Sequence, residues 1–263
     1  MMRSSAEHKP IETEIHINNY PSMANVQFSN LEFTHLLQRY KPSSKVAFTK
    51  RSMNMNILVI GANGKAGHRI VEKALKAGHQ VTGVVRREGA IEAIPTIVKD
   101  ALQLTKQELT QFDVVVNATS AFTPNAYHLQ TDLTLLLVKA LANTNTRLIV
   151  VGGAGSLYVD EDHTVQLYDT PDFPEEYLGL AKAQGNAIDI LRKFSNVDWT
   201  FFSPAADFDE KGVESKDYVL GNENFILNKD GDSYISYETY AQILVDEINN
   251  HKFSRQRFTA VQN

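Results

Sequence analysis

The sequence predicts a doubly wound α/β protein: a mainly parallel sheet with helices on both faces. Two observations carry the prediction. The apolar run Asn56–Ile60 ends in Gly61-Ala62-Asn63-Gly64-Lys65-Ala66-Gly67, with glycine at every third position, and an amphipathic helix follows it. Beyond that point, short strands apolar on both faces alternate with helices, the pattern of a parallel sheet buried on both sides. The 263 residues, 43% of them hydrophobic, suffice for one sizeable core.

The glycine run has a physical reading. Gly61 lets the chain turn off the strand, Gly64 allows a phosphate close to the backbone, and Gly67 lets the helix pack near the sheet. The helix N-terminus then offers unpaired N–H groups and a positive dipole end to a pyrophosphate. A dinucleotide-binding βαβ unit is expected.

The elements follow in order. Residues 1–52 mix polar and charged residues without periodicity and suggest a loosely ordered extension, with residues 53–263 forming the nucleotide-binding domain. Ser29-Asn30-Leu31-Glu32, followed by Phe33, Leu36, Leu37 and Tyr40, reads as one short amphipathic helix in that extension. The first helix of the domain carries Ile70, Val71, Ala74 and Leu75 on one face and pairs Glu72 with Lys76, then stops at Gly78. Strands are expected at 81–85, 96–98, 113–116, 147–151 and 198–203. Helices are expected at 124–142, 174–194 and 237–249. In the second of these, the inward face is Tyr177, Leu180, Ala181, Gln184, Ile188 and Leu191. Tyr218 to Leu227 holds two short apolar pieces around Gly221, Ser233 to Ser236 reads as a further strand, and Arg257 to Val261 reads as an edge strand.

Composition narrows the function. A net charge of −5 without a long basic run argues against nucleic acid as the main partner. With no cysteine, disulfides and thiol chemistry are excluded, and a cytoplasmic location is expected. No apolar stretch reaches the roughly 20 residues of a membrane span. The histidines show no metal spacing. Leu135-Leu136-Leu137-Val138 makes a wide apolar face that suits deep burial or a homodimer seam, leaving monomer and homodimer open.

Cofactor choice is read at the end of the second strand. Arg86 and Arg87 stand where an NAD-binding unit carries an acidic residue for the adenosine ribose. A guanidinium there can clamp a 2′-phosphate, which favours NADP, while Glu88 leaves NAD possible.

Taken together, Gly61–Gly67, Val84-Val85-Arg86, Val150–Leu157 and Trp199–Ala206 resemble the NAD(P)H-binding proteins of the atypical short-chain dehydrogenase group. These include proteins described as NADH-flavin reductases and are related to NmrA-like proteins and to flavin/biliverdin-IXβ reductases. The resemblance covers about Asn56 to Val261. It implies a single Rossmann domain with a small C-terminal, substrate-side lobe built from Tyr218–Leu227 and Ser233–Ser236, a nicotinamide cofactor, and reduction of a flavin or quinone as a small aromatic acceptor. It also implies cofactor contacts at Asp100 and Ala101 (adenine), at Ala118, Thr119 and Ser120 (nicotinamide ribose), and at Gly152.

Larger short-chain dehydrogenases activate a carbonyl with a Tyr four residues before a Lys, a spacing that puts both on one helix face. No tyrosine here has lysine at that spacing. Tyr177 and Lys182 are five apart, roughly 140° around a helix. That disfavours a Tyr-Lys alcohol dehydrogenase or sugar-nucleotide epimerase. Direct hydride transfer to a stacked acceptor needs mainly positioning. If side chains assist, Ser156 and Tyr177 are the candidates, and Phe122, Tyr158 and Phe208 are candidates for an apolar lid. An NmrA-like regulatory module that binds NADP(H) without turnover is the competing expectation.

Overall fold

Strand β1 (Asn56–Ile60) is buried at four of its five residues, because both of its faces meet helices. It pairs in parallel with β2 (Gln80–Val85) on one side and β4 (Val114–Asn117) on the other. In this computed structural model, which describes residues 54–88 and 91–263, the main sheet also contains β3 (Thr96–Val98), β5 (Arg147–Val151), β6 (Trp199–Ser203), β8 (Tyr218–Gly221) and β10 (Gln256–Gln262). Its order is β3-β2-β1-β4-β5-β6-β10-β8, with only β8 antiparallel. The expected extension over 1–52 and its helix near 29–40 lie outside the described residues.

Helix α1 (Lys65–Lys76) and helix α5 (Tyr237–Asn250) cover one face. Helices α3 (His128–Leu141) and α4 (Glu175–Arg192) cover the other. A short α2 (Lys106–Leu109) is held by a reciprocal capping box between Thr105 and Glu108. Gly78 ends α1 as expected. Its φ of 89° lets its own N–H reach Leu75 O and the His79 N–H reach Ala74 O, closing the helix in a Schellman motif.

Several expectations need correction. Leu75 is exposed, while Lys73, two residues before it, is buried and reaches Glu214 at 2.7 Å and Glu238 at 3.0 Å. Glu72 pairs backwards with His68 and Arg69 rather than forwards with Lys76. The helix expected from Pro124 begins as a 3-10 turn over Pro124–Ala126 and becomes α-helical at His128. The strand placed at 257–261 is internal, between β6 and β8. Its polar residues Arg257 and Thr259 are buried. Tyr218–Gly221 joins the main sheet through β10. Of the expected small lobe, only the two-stranded parallel sheet of β7 (Asp207–Asp209) and β9 (Tyr234–Ser236) stands outside it.

The chain leaves β1 toward β2 and β3 on one side, then returns to β4 on the other. That reversal opens a crevice at the carboxyl ends of β1 and β4, where open α/β sheets bind ligands.

Candidate functional site

Gly61 turns the chain out of β1 with φ of 81°. A Cβ there would fall 2.9 Å from the Ala118 carbonyl oxygen, so only glycine lets the β1 and β4 turns approach this closely. The Gly61 carbonyl accepts from Gly64 N–H at 2.9 Å and faces Gly67, whose added Cβ would lie 2.2 Å from that oxygen. One carbonyl is thus the point on which all three glycines converge. No side chain caps α1 at Gly64, and its first turn carries no acidic residue. The first-turn N–H groups have no intrahelical acceptor, so this end presents donors and the positive dipole end.

Across the crevice, Asn117 is buried and its Oδ1 accepts from Thr119 N–H at 3.1 Å and Thr119 Oγ1 at 2.7 Å. That Asx turn fixes how Ala118, Thr119 and Ser120 leave β4. At the end of β3, Asp100 Oδ1 accepts from Leu102 N–H at 2.9 Å, capping the turn Ala101–Gln103. Beside it, Lys99 Nζ lies 2.5 Å from Glu108 Oε1. Lys99 and the Thr105 donors together hold the Glu108 carboxyl well below the usual range, at about 2.

These turns enclose a cleft of about 380 Å³. It brings together nine of the residues expected from the sequence: Gly61, Asn63, Gly64, Arg86, Asp100, Ala101, Ala118, Thr119 and Ser120. Arg86 is exposed at its wall and finds no hydrogen-bond or ion-pair partner among the described residues. The cleft also has a wall that the sequence reading missed, made by Lys99 and Leu102 on one side and by Leu129 and Leu133 of α3 on the other. The apolar helical periodicity of α3 was legible, but which turn of it would face a ligand was not.

Other expected residues lie elsewhere. Lys65 is turned to Glu210 at 2.5 Å, Ala66 and Gly67 stand behind the cleft surface, and Arg87 does not line it. Gly152 is buried, with space for no side chain because the Phe201 ring would lie 2.1 Å from its Cβ. Ser156 is buried too, and both its carbonyl oxygen and its hydroxyl accept from the Arg257 guanidinium, so its hydroxyl is engaged in structure rather than open to the cleft. Tyr177 is 54% exposed and does not line the cleft, against the inward face expected for it. Of the three lid aromatics only Phe122 borders the cleft. Tyr158 stacks on His163, and the half-buried Phe208 packs on Tyr237 and Tyr240 at the edge of the core.

The arrangement fits a nicotinamide dinucleotide on the structure's own terms. Among the described residues it offers a backbone cradle that a single Cβ would fill, a helix N-terminus with no side-chain cap, and a guanidinium without a partner at the wall. Among the described residues no helix is long and apolar enough to cross a membrane.

Comparison with known proteins agrees. Residues 61–251 match the family model described as NAD(P)H-binding. An uncharacterized protein of Bacillus subtilis is 44% identical over 210 residues, covering 79% of this chain and 98% of its own length. A crystal structure from Streptococcus pneumoniae, named a "putative NADH-flavin reductase", is 47% identical with a TM-score of 0.77, covering 80% of this chain and all of that one. A Lactobacillus casei structure is 29% identical with a TM-score of 0.72, covering 79% of this chain and 99% of its own.

Proposed function

Because the chain belongs to the NAD(P)H-binding family, we propose that it is an NADPH-dependent reductase that delivers hydride directly to a flavin or quinone. The observation that carries this reading is the cleft itself, in which the Gly61–Gly64 turn faces Arg86 across a single crevice. The turn and the α1 N-terminus hold the pyrophosphate. Arg86 takes the 2′-phosphate, and the Asp100–Leu102 turn lies along the adenine. Asn117 holds Thr119 and Ser120 beside the nicotinamide ribose. The bound dinucleotide supplies the hydride. The chain's own task is to keep the acceptor stacked within reach and to exclude water, and the exposed Phe122 at the rim offers an aromatic face for that. The absence of a Tyr-Lys pair supports this chemistry over carbonyl–alcohol interconversion, since a stacked two-electron acceptor can take its proton from solvent. A cytoplasmic location suits such a small-molecule reductase.

The test is oxidation of NADPH in the presence of FMN, riboflavin and simple quinones, with turnover expected for at least one of them. Tight NADPH binding without turnover of any acceptor would overturn the reading and favour an NmrA-like sensor. Cofactor choice has its own expected result. Arg86→Ala should weaken NADPH binding by about 10- to 100-fold, the range of hydrogen bonds to a charged group, and leave NADH binding nearly unchanged. Equal losses for the two cofactors, measured by nicotinamide fluorescence, would show that Arg86 does not read the 2′-phosphate.

A further inference from the structure

The turn after β5 has three of its carbonyl acceptors engaged and, among the described residues, four of its N–H donors without an acceptor. The carbonyl oxygens of Ala154, Gly155 and Ser156 accept from Leu157 N–H at 2.9 Å, Tyr168 N–H at 2.8 Å and the Arg257 guanidinium at 2.6 Å. The N–H groups of Gly153, Ala154, Gly155 and Ser156 find no acceptor among the described residues. Two of those residues, Gly155 and Ser156, are buried, where an unpaired amide is costly. A run of amides with no acceptor of their own suits negative charge. Parallel pairing of Val150 with Asn117 sets this turn beside the Thr119 turn of the cleft.

The turn is also held from two sides. Against α4, a Cβ on Gly153 would lie 2.0 Å from Gln184 Oε1, and one on Gly155 would lie 2.6 Å from Ala181 Cβ, so the backbone lies flush on the helix. From below, Arg257 of β10 reaches up with a fully buried side chain. It grips Ser156 with both terminal nitrogens and pairs with Glu223 at 3.3 Å. Glu223 is held in turn by Arg192 at 2.7 Å, and its carbonyl accepts from Tyr158 N–H at 3.0 Å. Burial lowers the Arg257 guanidinium to about 10, which leaves it charged at neutral pH. A buried charge with an unbonded Nε contributes little net stability, and fixing one conformation of the turn gives it a role.

We propose that the backbone amides of Gly153–Ser156 form the electrophilic subsite for the acceptor, receiving the oxygen that becomes anionic on reduction, and that Arg257 is the positioning residue that holds them. The proposal rests on the reductase reading. Hydride leaves the nicotinamide carbon as an acceptor carbon–hydrogen or nitrogen–hydrogen bond forms. The displaced π-electron pair comes to rest on a conjugated acceptor oxygen, and water later supplies the proton. Donors aimed at that oxygen stabilise the charge as it develops, the part a tyrosine plays elsewhere.

The experiment uses the full chain with saturating NADP⁺ and 4-nitrophenol, whose colour reports its own ionisation. Bound probe should show a phenolate-to-phenol ratio about tenfold above that of free probe at the same pH. In Arg257→Met the ratio should return toward the free value. Its kcat with quinones should fall about tenfold or more while NADPH affinity stays within about twofold, a split that general loosening of the fold would not produce. Should Arg257→Met fail to fold, Arg257→Lys and Ser156→Ala each weaken part of the grip and should give intermediate ratios. Failure of the probe to bind, an unshifted titration, or a shift that survives loss of Arg257 would overturn the subsite. So would loss of the shift in Ser156→Ala alone, since the hydroxyl would then be the donor. A shifted titration in a protein that reduces no flavin or quinone would instead overturn the reductase reading alone.

Discussion

Glu247→Ala is expected to destabilise the domain by about 3–5 kcal/mol, the usual cost of orphaning a buried charge. Arg147 on β5 and Glu247 on α5 are each 4% exposed and form a direct ion pair. Arg147 also donates to the Glu247 carbonyl at 2.9 Å and to Thr200 Oγ1 at 2.7 Å. The Glu247 carboxylate accepts from Lys252 N–H at 3.1 Å and Phe253 N–H at 2.8 Å, so it also caps the chain leaving α5. Removing it strands one guanidinium and two amides at once. Thermal unfolding should move down by roughly 6–20 °C for a domain of this size. Glu247→Gln keeps an acceptor for the amides and should lose less. The double replacement Arg147→Met with Glu247→Leu should recover much of the loss, because it removes both charges. A single variant as stable as the parent in calorimetry would show that the pair is not a fixed feature of the core.

How much of this was legible from sequence depends on the distance over which each feature acts. Strand positions, the Gly78 stop and the glycine turn are set by residues within a few positions of one another, and they emerged nearly where expected. Arg86 was legible for the same reason, since it directly follows β2. Arg147–Glu247 is separated by 100 residues and Arg257–Ser156 by 101, and nothing local marks either arginine as buried. The strand that carries Arg257 is internal where an edge was expected. Ser156 is the opposite case. A serine at the carboxyl end of a strand invites a catalytic role, while the structure occupies its hydroxyl with a guanidinium. Tyr177 fell on the apolar stripe of α4, but a helical stripe continues whether or not a neighbour reaches the first turn. Unpaired backbone amides leave no side-chain signature at all, so the donor-rich turn at Gly153–Ser156 could be found only in three dimensions.

The largest functional effect is expected from Gly67→Ala, which should reduce NADPH affinity by more than about 100-fold. The added methyl would sit 2.2 Å from the Gly61 carbonyl oxygen, 2.9 Å from its carbon and 3.2 Å from Ala62 Cα. All three are backbone atoms of a turn that is itself pinned against Ala118, so no side chain can rotate away. Either α1 withdraws from the sheet, or the Gly61–Gly64 turn opens. Both displace the N–H donors that a pyrophosphate needs, and overpacking of this kind costs roughly 1–3 kcal/mol in stability besides. Gly78→Ala separates this steric effect from simple loss of a glycine. That residue has φ of 89° with nothing within 4 Å of a new Cβ. It should lose about 1 kcal/mol from the strained backbone and bind NADPH normally. If both variants bound the cofactor as the parent does, convergence of the three glycines on one carbonyl would be a packing device for α1 and the β1 turn. If only Gly67→Ala failed, the same contact that seats the helix on the sheet would also be what keeps its N-terminus aimed into the cleft.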